Sequence, residues 1–139
     1  MADTAPQRIP DDLVAAWSSH DPERVVSLFA DDCVFEDVTF GVVLRGKKDL
    51  RAFAQGVFAG IPDFKIEITS RFMAGNAGGI EWTMSGTHKG DFPGMPATGK
   101  RFTCRGVTIL EFQGDKIRRD SDYWDAAGVM RQVGLLPAA

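Results

Sequence analysis

"RFTCRGVTILEFQGDKIRRDSDYWDAAG", residues 101–128, holds two runs rich in β-branched and aromatic residues on either side of a Gly-Asp pair. That composition predicts a long β-hairpin turning at residues 113–116. Side chains alternate across a strand, so Phe102, Cys104, Thr108, Leu110 and Phe112 share one face of the first run. On the second run Asp120, Asp122 and Trp124 share a face, and Arg119, Ser121 and Tyr123 take the other. A three-residue loop at Gln113-Gly114-Asp115 sets Thr108 opposite Asp120 and Gly106 opposite Asp122, all on one side. A two-residue Gly114-Asp115 turn moves the register by one and pairs Thr108 with Ser121. The residue types alone leave both registers open. Asp125 follows as the N-cap of a short last helix, and Arg118 and Arg119 read as solvated strand residues.

Outward from the hairpin, residues 64–73 and 79–88 alternate with period two around the turn "AGNAGG" and predict two further strands. "KGDFPGMPATGK" (89–100) is a Gly/Pro-rich connection long enough to work as a rim or lid, with Phe92 and Met95 on it. Before residue 64 the period is helical. Leu50, Phe53, Ala54, Val57 and Phe58 form the stripe of a helix stopped by Gly60 and Pro62. Asp21 and Pro22 start an earlier helix with a Val25, Leu28 and Phe29 stripe, and Pro10 with Asp11 and Asp12 starts the first. Residues 33–38 and 41–46 read as short strands. Residues 1–9 read as a flexible tail and residues 10–139 as a single domain. Helices first and antiparallel strands after is the α+β pattern, with helices packed on one face of a curved sheet.

At 139 residues the chain can bury one core without staples. Its net charge of −3, with basic residues dispersed among acids, offers no footprint for nucleic acid. No window is apolar enough to span a membrane, and the N-terminus lacks the pattern of a secretory signal. Cys33 and Cys104 have no metal or redox spacing and read as two free thiols in a reducing compartment, so the expected location is the cytoplasm. His20 and His88 have no second ligand at metal spacing. No phosphate cradle or nucleotide fingerprint calls for a cofactor, so neither metal nor cofactor is expected.

The elements "GTHKG", "PATGK", "FQGDKI" and "DYWDAAGVMRQVG" occur in an order and spacing that resemble the SnoaL-like family of the nuclear-transport-factor-2-like, or ketosteroid-isomerase-like, superfamily. The resemblance runs from about Leu13 to Leu135. It implies a cone, three helices wrapped on a strongly bent, mostly antiparallel sheet around a deep apolar cavity, and commonly a homodimer. It also implies polyketide cyclase, isomerase or lyase chemistry, with Asp122 as the counterpart of the general acid/base. Two departures stand out. Many family members carry histidine at the position of Asp120, and characterised cyclases carry one at the position of Thr108. Epoxide-hydrolase relatives use an Asp–Arg–Asp set, which Arg105 does not complete because its phase opposes Thr108.

A carboxylate in an apolar pocket has a raised pKa and can take and return a proton near neutral pH. Ketosteroid isomerase divides such labour between a basic Asp and a protonated one. The expected function is therefore acid/base chemistry on a small apolar carbonyl compound. Asp122 moves the proton, and Asp120 or Thr108 polarises oxygen. Trp17, Phe35, Phe58, Trp82, Met84, Phe102, Leu110 and Trp124 are the expected pocket wall. One of Glu36 and Asp37, on opposite faces of an early strand, approaches the cavity. The alternative is a non-catalytic ligand-binding or dimerisation module on the same cone, with Asp122 paired to a surface base such as Arg71 or Arg101. His88 is read as a loop-stabilising residue and His20 as exposed.

Overall fold

Helix α1 (Ala5–Ser18) begins five residues before Pro10 in the computed structural model, which describes residues 4–138. The flexible tail expected over residues 1–9 is therefore helical from Ala5, while residues 1–3 lie outside the described residues. Two features start the helix early. The Gln7 side chain accepts from the Thr4 backbone N–H at 3.0 Å, and Pro6 supplies the preset φ of a first turn. Ile9 is then 1% exposed, so the extra turn buries an apolar side chain. Asp11 does not serve the helix start either; it forms an ion pair with Arg71 at 2.6 Å, tying the helix to the sheet.

Helix α2 (Pro22–Val26) is capped as expected, Asp21 accepting from the Glu23 N–H at 3.0 Å. It is shorter than its apolar stripe predicts, because strand β1 (Phe29–Asp37) claims Phe29 for a parallel pairing with Ile117. His20, expected to be exposed, is half-buried at φ +62° with its ring on Phe58 and Nε2 2.8 Å from the Phe64 carbonyl. Strand β2 (Val42–Arg45) returns antiparallel to β1, and helix α3 (Gly46–Gly60) buries Leu50, Ala54 and Phe58 at four-residue spacing.

Strands β3 (Lys65–Ala74), β4 (Ala77–Thr87), β5 (Arg101–Gln113) and β6 (Lys116–Trp124) complete a six-stranded sheet ordered β2-β1-β6-β5-β4-β3. All neighbours are antiparallel except β1 and β6, so the sheet is mixed but mostly antiparallel. Helix α4 (Ala126–Gln132) closes the chain, with Asp125 accepting from the Gly128 N–H at 2.8 Å as its N-cap. The architecture is the expected α+β one, helices on one face of a curved sheet.

The β5–β6 register resolves the two alternatives by combining them. Gly114, at φ +61°, makes a two-residue turn that pairs Gln113 with Lys116. A one-residue bulge then skips Arg118, so Glu111 pairs with Arg119 and the original parity returns. The burial pattern explains the bulge: both Ile117 and Asp120 point inward, at 0% and 1% exposure, which no regular strand allows three residues apart. Thr108 therefore faces Asp122, and Asp120 faces Leu110, in place of the Thr108–Asp120 pairing of a three-residue loop.

The inner face of the sheet meets α1 and α3 around Trp17, Phe29, Phe35, Leu50, Trp82 and Leu110. The outer face carries a polar network in which Arg119 donates to Glu111 and Ser121, and Ser121 to Glu36. Cys33 and Cys104 are buried free thiols. Among the described residues no helix is long and apolar enough to cross a membrane.

Candidate active site

The inner face encloses a cavity of about 110 Å³ between the sheet, α1, α3 and the 88–100 connection. A cavity of roughly 150 Å³ holds benzene, so this smaller one suits a compact small molecule or the reactive end of a longer ligand. Among the described residues, and apart from indole nitrogens, the polar side chains that reach it are Asp37, His88, Thr108, Asp120 and Asp122, with no lysine or arginine.

Position along β6 decides what each aspartate meets. Asp122 is flanked by Thr108 on β5 and Asp37 on β1, whereas Asp120 is flanked by Leu110 and Phe35. Thr108 Oγ1 donates to Asp122 Oδ1 at 2.6 Å and accepts from Trp82 Nε1 at 2.8 Å. Gly106 makes that possible: a Cβ there would lie 2.3 Å from Trp82 Cη2, so only glycine lets the indole lie across β5. Asp120 is 1% exposed, and its Oδ1 has no hydrogen-bond partner.

Asp120 and Asp122, two residues apart on one face of β6, titrate as a pair, and burial raises both. Burial pushes Asp120 well above the usual carboxylate range, helped by the negative charges of Asp122 and Asp37. Burial also lifts Asp122, to about 6, against the bonds from Asp120 and Thr108 that favour its charged form. Asp37 is raised too, by burial, although it accepts from the Phe40 N–H at 2.8 Å and from Trp124 Nε1.

Asp122, Asp120 and Thr108 thus meet at one cavity, and no surface base neutralises them. Arg71 is engaged by Asp11 and Arg101 by Asp63. The expected division of roles changes in one respect. Thr108 turns its hydrogen to Asp122, so it is not aimed at a ligand oxygen.

Of the expected wall, Trp17, Phe35, Trp82, Met84, Phe102 and Trp124 line the cavity. Phe58 and Leu110 do not. Phe58 packs behind the wall against Trp17 and His20, and Leu110, fully buried, fills the core opposite Asp120.

His88 reaches the cavity, but its ring is committed to the 88–100 connection. Nε2 lies 3.1 Å from the Met95 carbonyl and so carries a hydrogen, while Nδ1 lies 3.2 Å from Thr98 Oγ1. Phe92 and Met95 on that connection also line the cavity, and Phe92 stacks on Phe40 at 6.2 Å.

Of the Glu36 and Asp37 pair it is Asp37 that reaches the cavity, and Phe40 is a lining residue that reading the sequence leaves out. The signal for Asp37 is parity: it shares the face of Phe35, so a strand that buries one aims the other inward. Phe40 sits in a turn after β1 with no periodic signal, and only the stack on Phe92 and the edge of Trp124 place it.

Comparison with known proteins agrees with the fold. The family model for SnoaL-like polyketide cyclases matches residues 8–133. Aklanonic acid methyl ester cyclase DnrD from Streptomyces peucetius is 41% identical over 49 residues, 35% of this chain and 34% of that protein. The matched segment thus spans about a third of that relative's length. The crystal structure of a hypothetical protein with a ketosteroid isomerase-like fold from Catenulispora acidiphila DSM 44928, in complex with trimethylamine, superposes with a TM-score of 0.84. It is 27% identical, over 93% of this chain and 94% of that one. TsrD from Streptomyces laurentii shares the fold at a TM-score of 0.85 and 22% identity, over 98% of this chain and 99% of that one. With an α+β fold on a curved six-stranded sheet and the family model matching residues 8–133, the chain belongs to the SnoaL-like polyketide cyclase family.

Proposed function

We propose that the protein is a cofactor-independent acid/base enzyme of cyclase type, acting on an apolar carbonyl compound with Asp122 as the proton-transfer group. One observation carries the reading: Asp122 stands at an apolar cavity with the Thr108 hydroxyl donating to it and a second buried carboxyl beside it, where burial lifts its pKa to about 6. A base is most effective when its pKa lies near the working pH.

In the proposed step Asp122 removes a proton from the carbon beside a carbonyl. The electron pair moves into the carbonyl as an enolate, whose carbon attacks a second carbonyl of the same molecule. The new alkoxide takes a proton, which Asp122 returns. Asp37 faces the same cavity, its oxygens occupied as acceptors by the Phe40 N–H and the Trp124 indole. Trp17, Phe35, Trp82, Met84, Phe102 and Trp124 hold the apolar part of the ligand.

The test needs no natural substrate. Acetone is within the scale of the cavity, and proton NMR follows exchange of its α-hydrogens in D2O. The wild type should accelerate exchange, and Asp122→Asn should abolish the acceleration while still binding the ketone. Equal exchange by both proteins sinks the assignment.

A second reading is binding without turnover. It draws support from the trimethylamine held by the Catenulispora acidiphila protein and from the absence, among the described residues, of any lysine or arginine lining this cavity. Calorimetry with trimethylamine, together with no acceleration of ketone exchange, would favour it.

A further inference from the structure

Thr108 stands between a group that can only donate and a group that, ionised, can only accept. The indole N–H of Trp82 has no acceptor capacity, so at 2.8 Å it fills a lone pair of Thr108 Oγ1. The hydroxyl has a single hydrogen, and that hydrogen points to Asp122 Oδ1, 2.6 Å away. A hydroxyl without the indole could turn and offer its lone pair instead. With the indole in place the direction is set.

Asp120, two residues along the same strand, has no such donor. Its cross-strand neighbours are Leu110 and Phe35, and its Oδ1 is buried without a partner. Two carboxyls this close resist ionising together, so an outside donor on one of them decides which gives up its proton first.

We propose that Trp82 is a positioning residue that assigns this proton: acting through Thr108, it makes Asp122 the ionised, proton-accepting member of the pair and leaves the proton on Asp120. The role rests on Asp122 being the base of the proposed reaction. Gly106 belongs to the same device, because Trp82 and Gly106 are register partners and a Cβ at Gly106 would strike the indole at 2.3 Å. The glycine leaves the ring flat across β5, with its nitrogen reaching the next inward-facing residue.

The ionisable groups around Asp122 are few. Asp120 neighbours it on β6, and Asp37 faces it from β1. Cys33 on β1 faces Asp120, and His88, just beyond β4, lines the same cavity. The cavity residues of α1, α3, β3 and α4 are all apolar. None of these groups donates to Asp122 as Thr108 does.

The experiment is a carboxyl-carbon NMR titration of Asp122 in the wild type, Trp82→Phe, Thr108→Val, Thr108→Ser and the Trp82→Phe/Thr108→Val double variant. Loss of a hydrogen bond to a charged group should raise the Asp122 midpoint in Thr108→Val by about one pH unit, a tenfold change in its ionisation constant. Trp82→Phe keeps an aromatic ring but deletes the N–H, and should raise it by about half that. The double variant should match Thr108→Val alone, since the indole acts only through the hydroxyl, and Thr108→Ser should retain the wild-type midpoint. An unmoved midpoint in a folded Trp82→Phe, or a double variant whose shift is the sum of the singles, overturns the proposal. A measurement on the wild type guards against a variant that does not fold. The indole proton of Trp82 should titrate with the Asp122 midpoint, and a flat indole resonance through that range also overturns it. None of these readouts needs turnover, so the relay can fail while ketone exchange succeeds, or hold while exchange is absent.

Discussion

The indole nitrogen of Trp124 lies 3.1 and 3.2 Å from the two carboxylate oxygens of Asp37. This bond joins the end of the last strand to the end of the first, where the two run parallel, and it holds Asp37 at the cavity beside Asp122. Each cavity aspartate on these two strand ends is thus reached by an indole, Asp37 directly and Asp122 through Thr108.

Trp124→Phe should lift the Asp37 pKa further, because the indole bond favours the charged carboxylate while burial opposes it. The Phe40 N–H remains as a donor, so the shift should be partial. A stability loss of about 1 kcal/mol is expected for the deleted bond. Carboxyl NMR and the urea midpoint check the two parts separately.

Stability should rise on mild acidification. Asp37, Asp120 and Asp122 all have folded pKa values above the unfolded one, so the folded state binds more protons and loses stability as pH rises through that interval. For Asp122 the interval runs from the ordinary 3.8 to about 6, and Asp120 extends it upward. Asp11, Asp63 and Glu111, lowered by bonds from Arg71, Thr87 and Arg119, act in the opposite sense and lose their contribution below about pH 4. The urea midpoint should therefore peak near pH 5 and decline by pH 8, with Asp122 accounting for on the order of 2 kcal/mol. Asp122→Asn should flatten the decline.

Asp120→Asn and Asp120→Leu should separate hydrogen bonding from charge. The asparagine amide can still donate to Asp122, so the Asp122 midpoint should stay near 6. Leucine removes the bond that lowers it, and the midpoint should climb. The acid limb of the rate of ketone exchange should follow the same order.

Gly106→Ala places a methyl 2.3 Å from Trp82 Cη2, against a ring buried to 4% exposure. Overpacking of this kind costs about 1–3 kcal/mol. The urea midpoint should fall accordingly, and the Trp82 indole proton should lose the downfield shift of its bond to Thr108.

His88→Ala should loosen the 88–100 connection, because the ring bonds Met95 and Thr98 at once. The Met95 carbonyl keeps the Phe92 N–H as a donor, so losing the ring's bond should cost only about 1 kcal/mol. Limited proteolysis should then cut between residues 88 and 100 sooner than in the wild type.

Much of the fold was legible because local signals agreed. The Leu50, Ala54 and Phe58 stripe placed α3, and Asp21-Pro22 and Asp125 capped the helices they were read to cap. Where reading failed, a distant partner had overridden a local pattern. Phe29 fits a helical stripe but is taken by Ile117 across a parallel ladder. Pro10 looks like a helix start, but the burial of Ile9 extends the helix beyond it.

For the site, sequence alone determined which residue types alternate together, and so that Asp120, Asp122 and Trp124 share a face with one another. Parity is local and survives without knowledge of neighbours. Tertiary structure alone decided which neighbour each residue meets. The bulge at Arg118 sets Asp122 beside Thr108 and leaves Asp120 beside Leu110. The parallel β1–β6 pairing brings Asp37 to Asp122 from 85 residues away. Both depend on ladder bonds between distant segments, and those bonds, by choosing a donor for one carboxyl and an apolar side chain for the other, separate two aspartates that the sequence presents as alike.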